Sequence, residues 1–331
     1  MNLYKPEIFQ GRGKKKKYFE GWYFKSVDEP EKNAISVIPG VSITGDRETE
    51  HSFIQVLDGN NNRAFYFKFA KEDFRAGRKI FNIGIGKSSF SMDRLKLDID
   101  QAGNSARADL SFENIIPWPI SLLSPGVMGW YGFVPFMECY HGILSFNHRI
   151  KGWFEINGRR IDFNNGKGFA EKDWGESMPS SWIWAQTNHF KEPEASLFVS
   201  VAKIPWLGSF FTGFIAGLYL RGKIYRFATY TGAHVKKISA SDAGIELFIS
   251  GSGRTLEISG DRVKGADLAA PKFGEMKSRV NETLKSKIRV RLAEDGKEIF
   301  SDEGRNSGLE FNGNIEELIK GLKHAPEKNK D

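Results

Sequence analysis

A hydrophobic period of two, repeated in short runs along most of the chain, limits the fold more than any other feature. Residues 19–27, 52–57, 63–69, 94–99, 152–156, 196–201, 223–229, 245–250, 255–259 and 287–292 each read as a strand. They are rich in aromatic or β-branched residues and bounded by Gly, Asn, Asp or Ser. Hairpin turns are signalled at Asp58-Gly59-Asn60, Asn157-Gly158, Arg221-Gly222 and Asp295-Gly296. Strands this closely spaced, without long helices between them, predict an all-β sandwich or barrel rather than a parallel α/β sheet. One short C-terminal helix is predicted, with Asn314 as N-cap, Glu316 and Glu317 in its first turn, and Ile315, Leu318, Ile319 and Leu322 on one face. The polar tail 326–331 reads as frayed.

Two segments interrupt the alternation. Residues 114–137 hold no charge over 24 positions, and 204–220 none over 17. The first is long enough to cross a bilayer, but Pro117, Pro119, Pro125 and Pro135 with Gly126, Gly129 and Gly132 exclude a continuous helix. It reads as a long apolar loop serving as lid, pocket wall or membrane-touching patch. The second reads either as a buried strand pair or as an exposed apolar rim. A single cysteine excludes a disulfide scaffold and a multi-cysteine metal cluster. No apolar leader core follows Met1, so a cytoplasmic setting is expected. The net charge of +7 includes the run Lys14, Lys15, Lys16 and Lys17. Without zinc-finger spacing, an RNP motif or a basic helix, no nucleic-acid partner is expected. The run reads as a solvated basic arm, with peripheral contact to an anionic membrane face as the second reading.

The chemistry concentrates where the tryptophans do: seven of the eight lie between Trp118 and Trp206. At the centre stands Glu171-Lys172-Asp173-Trp174-Gly175, followed by Trp182-Ile183-Trp184-Ala185-Gln186-Thr187-Asn188-His189. In an extended chain Glu171 and Asp173 share one face, and Trp182, Trp184, Gln186 and Asn188 share another. Glu20, Trp22 and Phe24 repeat the pattern of a carboxylate followed by aromatics. Carboxylates among aromatic walls suit proton donation to an apolar substrate, because burial disfavours the anion and keeps a proton available. Aromatic faces also stabilise a carbocation. The same residues read structurally as strand-core tryptophans and a turn-fixing or ion-paired Asp. Glu138 and His141 are pocket candidates, while Cys139 between them reads as a small buried hydrophobe. There is no Gly-x-Ser-x-Gly elbow or Walker-type loop, and Gly84-Ile85-Gly86-Lys87-Ser88 lacks phosphate-loop spacing. The six histidines form no His-x-His or His-Glu-x-x-His pair, so no metal site is expected.

Tyr18-Phe19-Glu20-Gly21-Trp22-Tyr23-Phe24 resembles the opening motif of the tocopherol cyclase family. The blocks 152–158, 171–175 and Pro179-Ser180-Ser181-Trp182-Ile183-Trp184-Ala185-Gln186 resemble its central signature, and 308–313 its closing strand. The central block also resembles the wider carotenoid-hydratase-like group. That similarity implies two lipocalin-like antiparallel β-barrel or sandwich halves meeting near residue 178. The first half is then 1–178, including the apolar loop, and the second 179–331. The family resemblance implies an isomerase-type cyclase that protonates a trisubstituted alkene of a prenylated quinol or related isoprenoid lipid. A phenolic oxygen captures the resulting cation, and no cofactor is required. On that chemistry Glu171 and Asp173 become candidate acid and base. Trp174, Trp182, Trp184 and Trp22 become cation-stabilising walls, and Gln186, Asn188 and His189 could hold the quinol oxygen. Glu20, Tyr23, Glu138 and His141 complete the expected substrate-binding set. The run Glu138 to His148 departs from the plant pattern, and no plastid transit peptide stands out, which leaves the substrate open. The alternative is a non-catalytic lipocalin-like lipid-binding protein using the same aromatic face.

Overall fold

The computed structural model describes residues 2–322, and the tail 326–331 lies outside the described residues. The chain divides into two compact units. The first runs to Met178 and takes back Gly265–Val280; the second comprises Pro179–Lys264 and the chain from Asn281 onward.

Alternation of apolar and polar residues builds a twelve-stranded antiparallel sheet in the first unit. Its strands are β1 (Tyr18–Val27), β2 (Ala34–Ile43), β3 (His51–Asp58), β4 (Arg63–Phe69), β5 (Phe74–Ala76), β6 (Asn82–Ile85), β7 (Ser88–Ser91), β8 (Arg94–Gln101), β9 (Asn104–Glu113), β10 (Cys139–Ile156), β11 (Arg159–Asp162) and β12 (Gly166–Gly175). The order is β4-β3-β2-β1-β12-β10-β9-β8-β7-β6-β5, with β11 beside β10. Trp22 and Phe24 of β1 and Ala170 of β12 enter one core with Ile54, Phe81, Phe90 and Phe154. In the Gly84–Ser88 stretch Gly84 and Ile85 end β6, Gly86-Lys87 is the turn and Ser88 opens β7, so it is a hairpin and not a phosphate loop.

The second sheet contains β13 (Trp182–Thr187), β14 (Ala195–Trp206), β15 (Ser209–Leu220), β16 (Lys223–Ala228), β17 (His234–Ser241), β18 (Gly244–Gly251), β19 (Arg254–Asp261), β20 (Ala266–Lys272), β21 (Glu275–Glu294) and β22 (Lys297–Asn312). Its order is β16-β15-β14-β13-β22-β21-β19-β18-β17, with β20 pairing β21. Ile183 and Ala185 of β13 enter the second unit's core with Leu197, Phe214 and Val290. The helix α1 (Ile315–Leu322) starts where Asn314 Oδ1 accepts the Glu316 N–H at 2.8 Å.

The expected all-β class, with two antiparallel barrel or sandwich halves, is observed, and neither sheet is closed on itself. The ladders run from β4 to β5 and from β16 to β17, and no ladder joins those ends among the described residues. Two-residue turns with both residues at positive φ tie the hairpins, at Asn157-Gly158 (48° and 79°), Arg221-Gly222 (48° and 81°) and Asp295-Gly296 (50° and 80°). The uncharged run 204–220 is a strand pair, β14 and β15, turned at Leu207-Gly208.

Candidate functional site

Two neighbouring ladders position the polar groups of the first unit. In the pairing of β10 with β12, His141 lies opposite Asp173 and Ile143 opposite Glu171. In the pairing of β1 with β12, Tyr23 lies opposite Glu171 and Trp22 opposite Lys172. Directly opposed residues share a sheet face, so Tyr23, His141, Glu171 and Asp173 face one way and Glu20, Trp22, Lys172 and Trp174 the other.

On the first face the His141 ring bridges two carboxylates. Its Nδ1 lies 2.7 Å from Asp173 Oδ1 and its Nε2 3.5 Å from Glu171 Oε2. The side chains of Glu171, His141 and Asp173 are 6%, 15% and 23% exposed, so Asp173 is the outermost. Burial pulls the His141 pKa down, but Asp173 and Glu171 outweigh it and hold the group at about 9. Imidazolium is therefore the resting state at neutral pH. Cys139 Sγ stands 3.9 Å from Asp173 Oδ1, and burial followed by Asp173 and Glu138 pushes its thiol pKa well up. Cys139 is half-buried and remains a thiol. Among the described residues, His141, Glu171 and Asp173 form the one group with a metal-like cluster of donors, all within 4.8 Å. Their closest contact, 2.7 Å, is a hydrogen-bond distance, shorter than the roughly 3.3 Å between two donors on one tetrahedral metal with ~2 Å bonds.

The opposite face is committed to packing and to the N-terminal arm. Lys172 is fully buried beside an equally buried Glu20, with which it pairs. It donates to Pro6 O (2.7 Å) and Ile8 O (2.6 Å), and its ammonium sits 4.7 Å from the ring centres of both Trp22 and Trp174. Burial lowers the Lys172 pKa and Glu20 opposes that shift. Glu20 also accepts the Gln10 and Gly11 N–H groups and the Tyr18 hydroxyl (2.5 Å). Trp22 stacks on Phe81 and donates to Glu7 O at 2.8 Å. Trp174 stacks on Tyr140 at 5.6 Å. Glu138, just before β10, is half-buried, and its carbonyl accepts the Glu176 N–H at 2.9 Å.

The other candidates belong to the second unit. Trp182, Trp184 and Gln186 alternate with the core residues of β13, so they line its opposite face and are buried there. Trp182 Nε1 donates to Glu310 Oε1 at 2.7 Å, and Trp184 lies over Gly308, where a Cβ would meet its ring at 2.6 Å. Asn188 and His189 are buried, with the His189 carbonyl accepting the Arg305 N–H at 2.9 Å. Two contacts escape the sequence pattern. Lys172, between two acids, reads as solvated, and Met128 Sδ at 3.2 Å from the His141 N–H carries no motif.

The Tocopherol cyclase-like family model matches residues 92–313. A probable chloroplastic tocopherol cyclase of Oryza sativa subsp. japonica is 28% identical over 133 residues, 39% of this chain and 28% of the rice protein. The chloroplastic tocopherol cyclase of Zea mays is 26% identical over the same shares. The matched segment thus spans little more than a quarter of each plant protein. Among solved structures, CghA with Sch210972 superposes with a TM-score of 0.57 at 11% identity, covering 89% of this chain and 88% of that one. A putative AttH from Nitrosomonas europaea gives 0.52 at 12% identity, covering 89% and 92%. At these identities the two structures establish a shared fold alone.

Proposed function

The chain belongs to the tocopherol cyclase-like family, and from that premise we propose that it is an acid-catalysed cyclase of a prenylated quinol or related isoprenoid lipid. The supporting observation is the imidazolium of His141 held between Asp173 and Glu171. The proton on His141 Nδ1 passes by way of Asp173 Oδ1, 2.7 Å away and on the outermost of the three side chains, to the less substituted alkene carbon, leaving a tertiary cation and a neutral His141. The phenolic oxygen closes the C–O bond onto that cation and releases its own proton to the Asp173 carboxylate. Atoms balance as an isomerisation. Asp173 hands the phenol's proton back to His141, which restores the resting imidazolium, and buried Glu171 favours that charged state.

The test is incubation of the purified chain with a phytylated dimethylhydroquinone, scored for chromanol. Asp173→Asn and His141→Gln should each lower turnover about 100-fold or more, and Glu171→Gln less, with ligand affinity retained. Chelator should leave the rate unchanged; a rate that collapses with chelator and returns with a divalent ion would replace the proton relay by a metal site. Unaltered turnover in both carboxylate variants would sink the assigned roles. Prenylquinol retained through purification without product from any variant would favour the lipid carrier.

A further inference from the structure

We infer that the uncharged loop between β9 and β10 is a docking surface for an anionic lipid bilayer. The loop closes a tight turn at its tip, where Ser121 and Ser124 exchange backbone hydrogen bonds of 2.8 and 3.0 Å. The two residues presented by that turn are Leu122 and Leu123, 80% and 76% exposed. A solvated two-residue turn normally carries Asn, Asp or Gly. Ile120, Trp130, Phe133 and Phe136 of the same loop are also exposed. An apolar surface of this size on one loop marks an interaction site, and exposed Trp beside aliphatic tips suits the membrane interface.

The charge beside the loop selects the partner. Tyr4 of the N-terminal arm donates its hydroxyl to Leu122 O at 2.7 Å and meets the Phe133 ring at 6.4 Å. The next residue, Lys5, reaches Lys79 O at 3.4 Å, and Arg12 caps Ala76 O and Gly77 O at 2.8 and 2.7 Å. The arm thereby gathers Lys5, Arg12, Arg78 and Lys79 next to exposed Ile80 and beside the apolar tip. Among the described residues none of these four cations forms an ion pair. Apolar side chains to insert and unpaired cations alongside are complementary to a bilayer with anionic headgroups. The base of the same loop touches the strand carrying His141, through Met128 Sδ and through Val134 O, which accepts the Tyr140 hydroxyl at 2.6 Å.

The test is flotation of the purified chain with phosphatidylcholine vesicles, with and without phosphatidylserine, at low and high salt. Binding is read without turnover, so its failure and the failure of the proposed cyclase activity are separable. The chain should float with phosphatidylserine vesicles. Leu122→Ser with Leu123→Ser should reduce the bound fraction at both salt levels. Lys5→Gln, Arg78→Gln and Lys79→Gln together should reduce partitioning by about a hundredfold at low salt, about fivefold per cation, and little at high salt. Phe136→Ser probes a second part of the loop, and an unchanged melting curve certifies each variant as folded. No flotation with either vesicle, or flotation that neither variant set weakens, would overturn the inference. So would a dimer that disperses on changing Leu122 and Leu123, because a second copy would then be the occupant.

Discussion

His141 and His148 sit seven residues apart on β10 and are driven to opposite protonation states. His141 is held at about 9 by its two carboxylates against burial. His148, buried against Phe112 with only Ser145 Oγ at 3.0 Å from Nδ1, is lowered by burial to about 3. An unfolded histidine titrates near 6.5. The stabilisation from His141 is therefore fully present below about 6.5 and disappears as pH rises through about 9. The contribution of His148 is present above about 6.5 and is lost as pH falls toward about 3. Melting temperature measured across pH should show this. His141→Gln should flatten the alkaline limb, His148→Leu the acid limb, and unchanged limbs would refute the two assignments. Alternation along one strand is enough to put Glu171 and Asp173 on a common face. It cannot bring in His141, because that contact depends on the register between strands 30 residues apart. Nor can it reveal that Lys172 is buried, since a lysine between two acids has the composition of a solvated edge.

At the scale of elements, β10 carries two register shifts against β12, between Ile143 and Ser145 and between Ser145 and His148. Bulges re-aim side chains, and these set Ser145 opposite Ala170 and His148 opposite Gly168. The approach is close: a Cβ on Gly168 would stand 2.1 Å from His148 Nε2. Gly168→Ala should therefore cost about 1–3 kcal/mol by urea unfolding. Gly126→Ala, where an added Cβ meets nothing within 4 Å, should be nearly neutral. Equal stability of the two variants would count against the tight seam. The strands themselves were legible because each alternates and ends in turn residues. The bulges were not, because an extra residue in an apolar run such as Gly142-Ile143-Leu144 leaves no mark on composition. The uncharged run 204–220 shows the same limit: periodicity cannot separate a hairpin from a rim when both faces are apolar, as in Phe210-Phe211. The Leu207-Gly208 turn, with φ of 46° and 82°, makes it a strand pair, and burial divides it, with 211–220 mostly buried and Leu207 at the turn 83% exposed.

On the scale of the whole molecule, the chain leaves the second unit at Gly265 and returns after Val280. Within the first unit this return segment is specifically held. Gln55 donates to Ala269 O at 3.0 Å and accepts the Ala269 N–H at 2.8 Å, while Ser42 Oγ donates to Gly274 O at 2.5 Å. Phe273 N–H donates to Ser177 Oγ at 2.8 Å, and Ala266, Leu268 and Ala270 are buried. Gln55 is itself buried, so removing its partner strands a polar group at about 1–3 kcal/mol, before the lost apolar cover is counted. We propose that the first unit is completed only by this segment. A fragment of residues 1–178 should then melt well below the corresponding transition of the full chain, or aggregate. Tethering residues 265–280 to its C-terminus by a flexible linker should restore a cooperative melt, and Gln55→Ala in that tethered fragment should lower it again. A fragment 1–178 as stable as the tethered form would show that the first unit closes on its own strands. The Met178 N–H donates to Pro271 O at 3.3 Å, so a tether from Met178 to Gly265 has to run back along the length of β20, roughly 20 Å, and needs no rearrangement of the sheet.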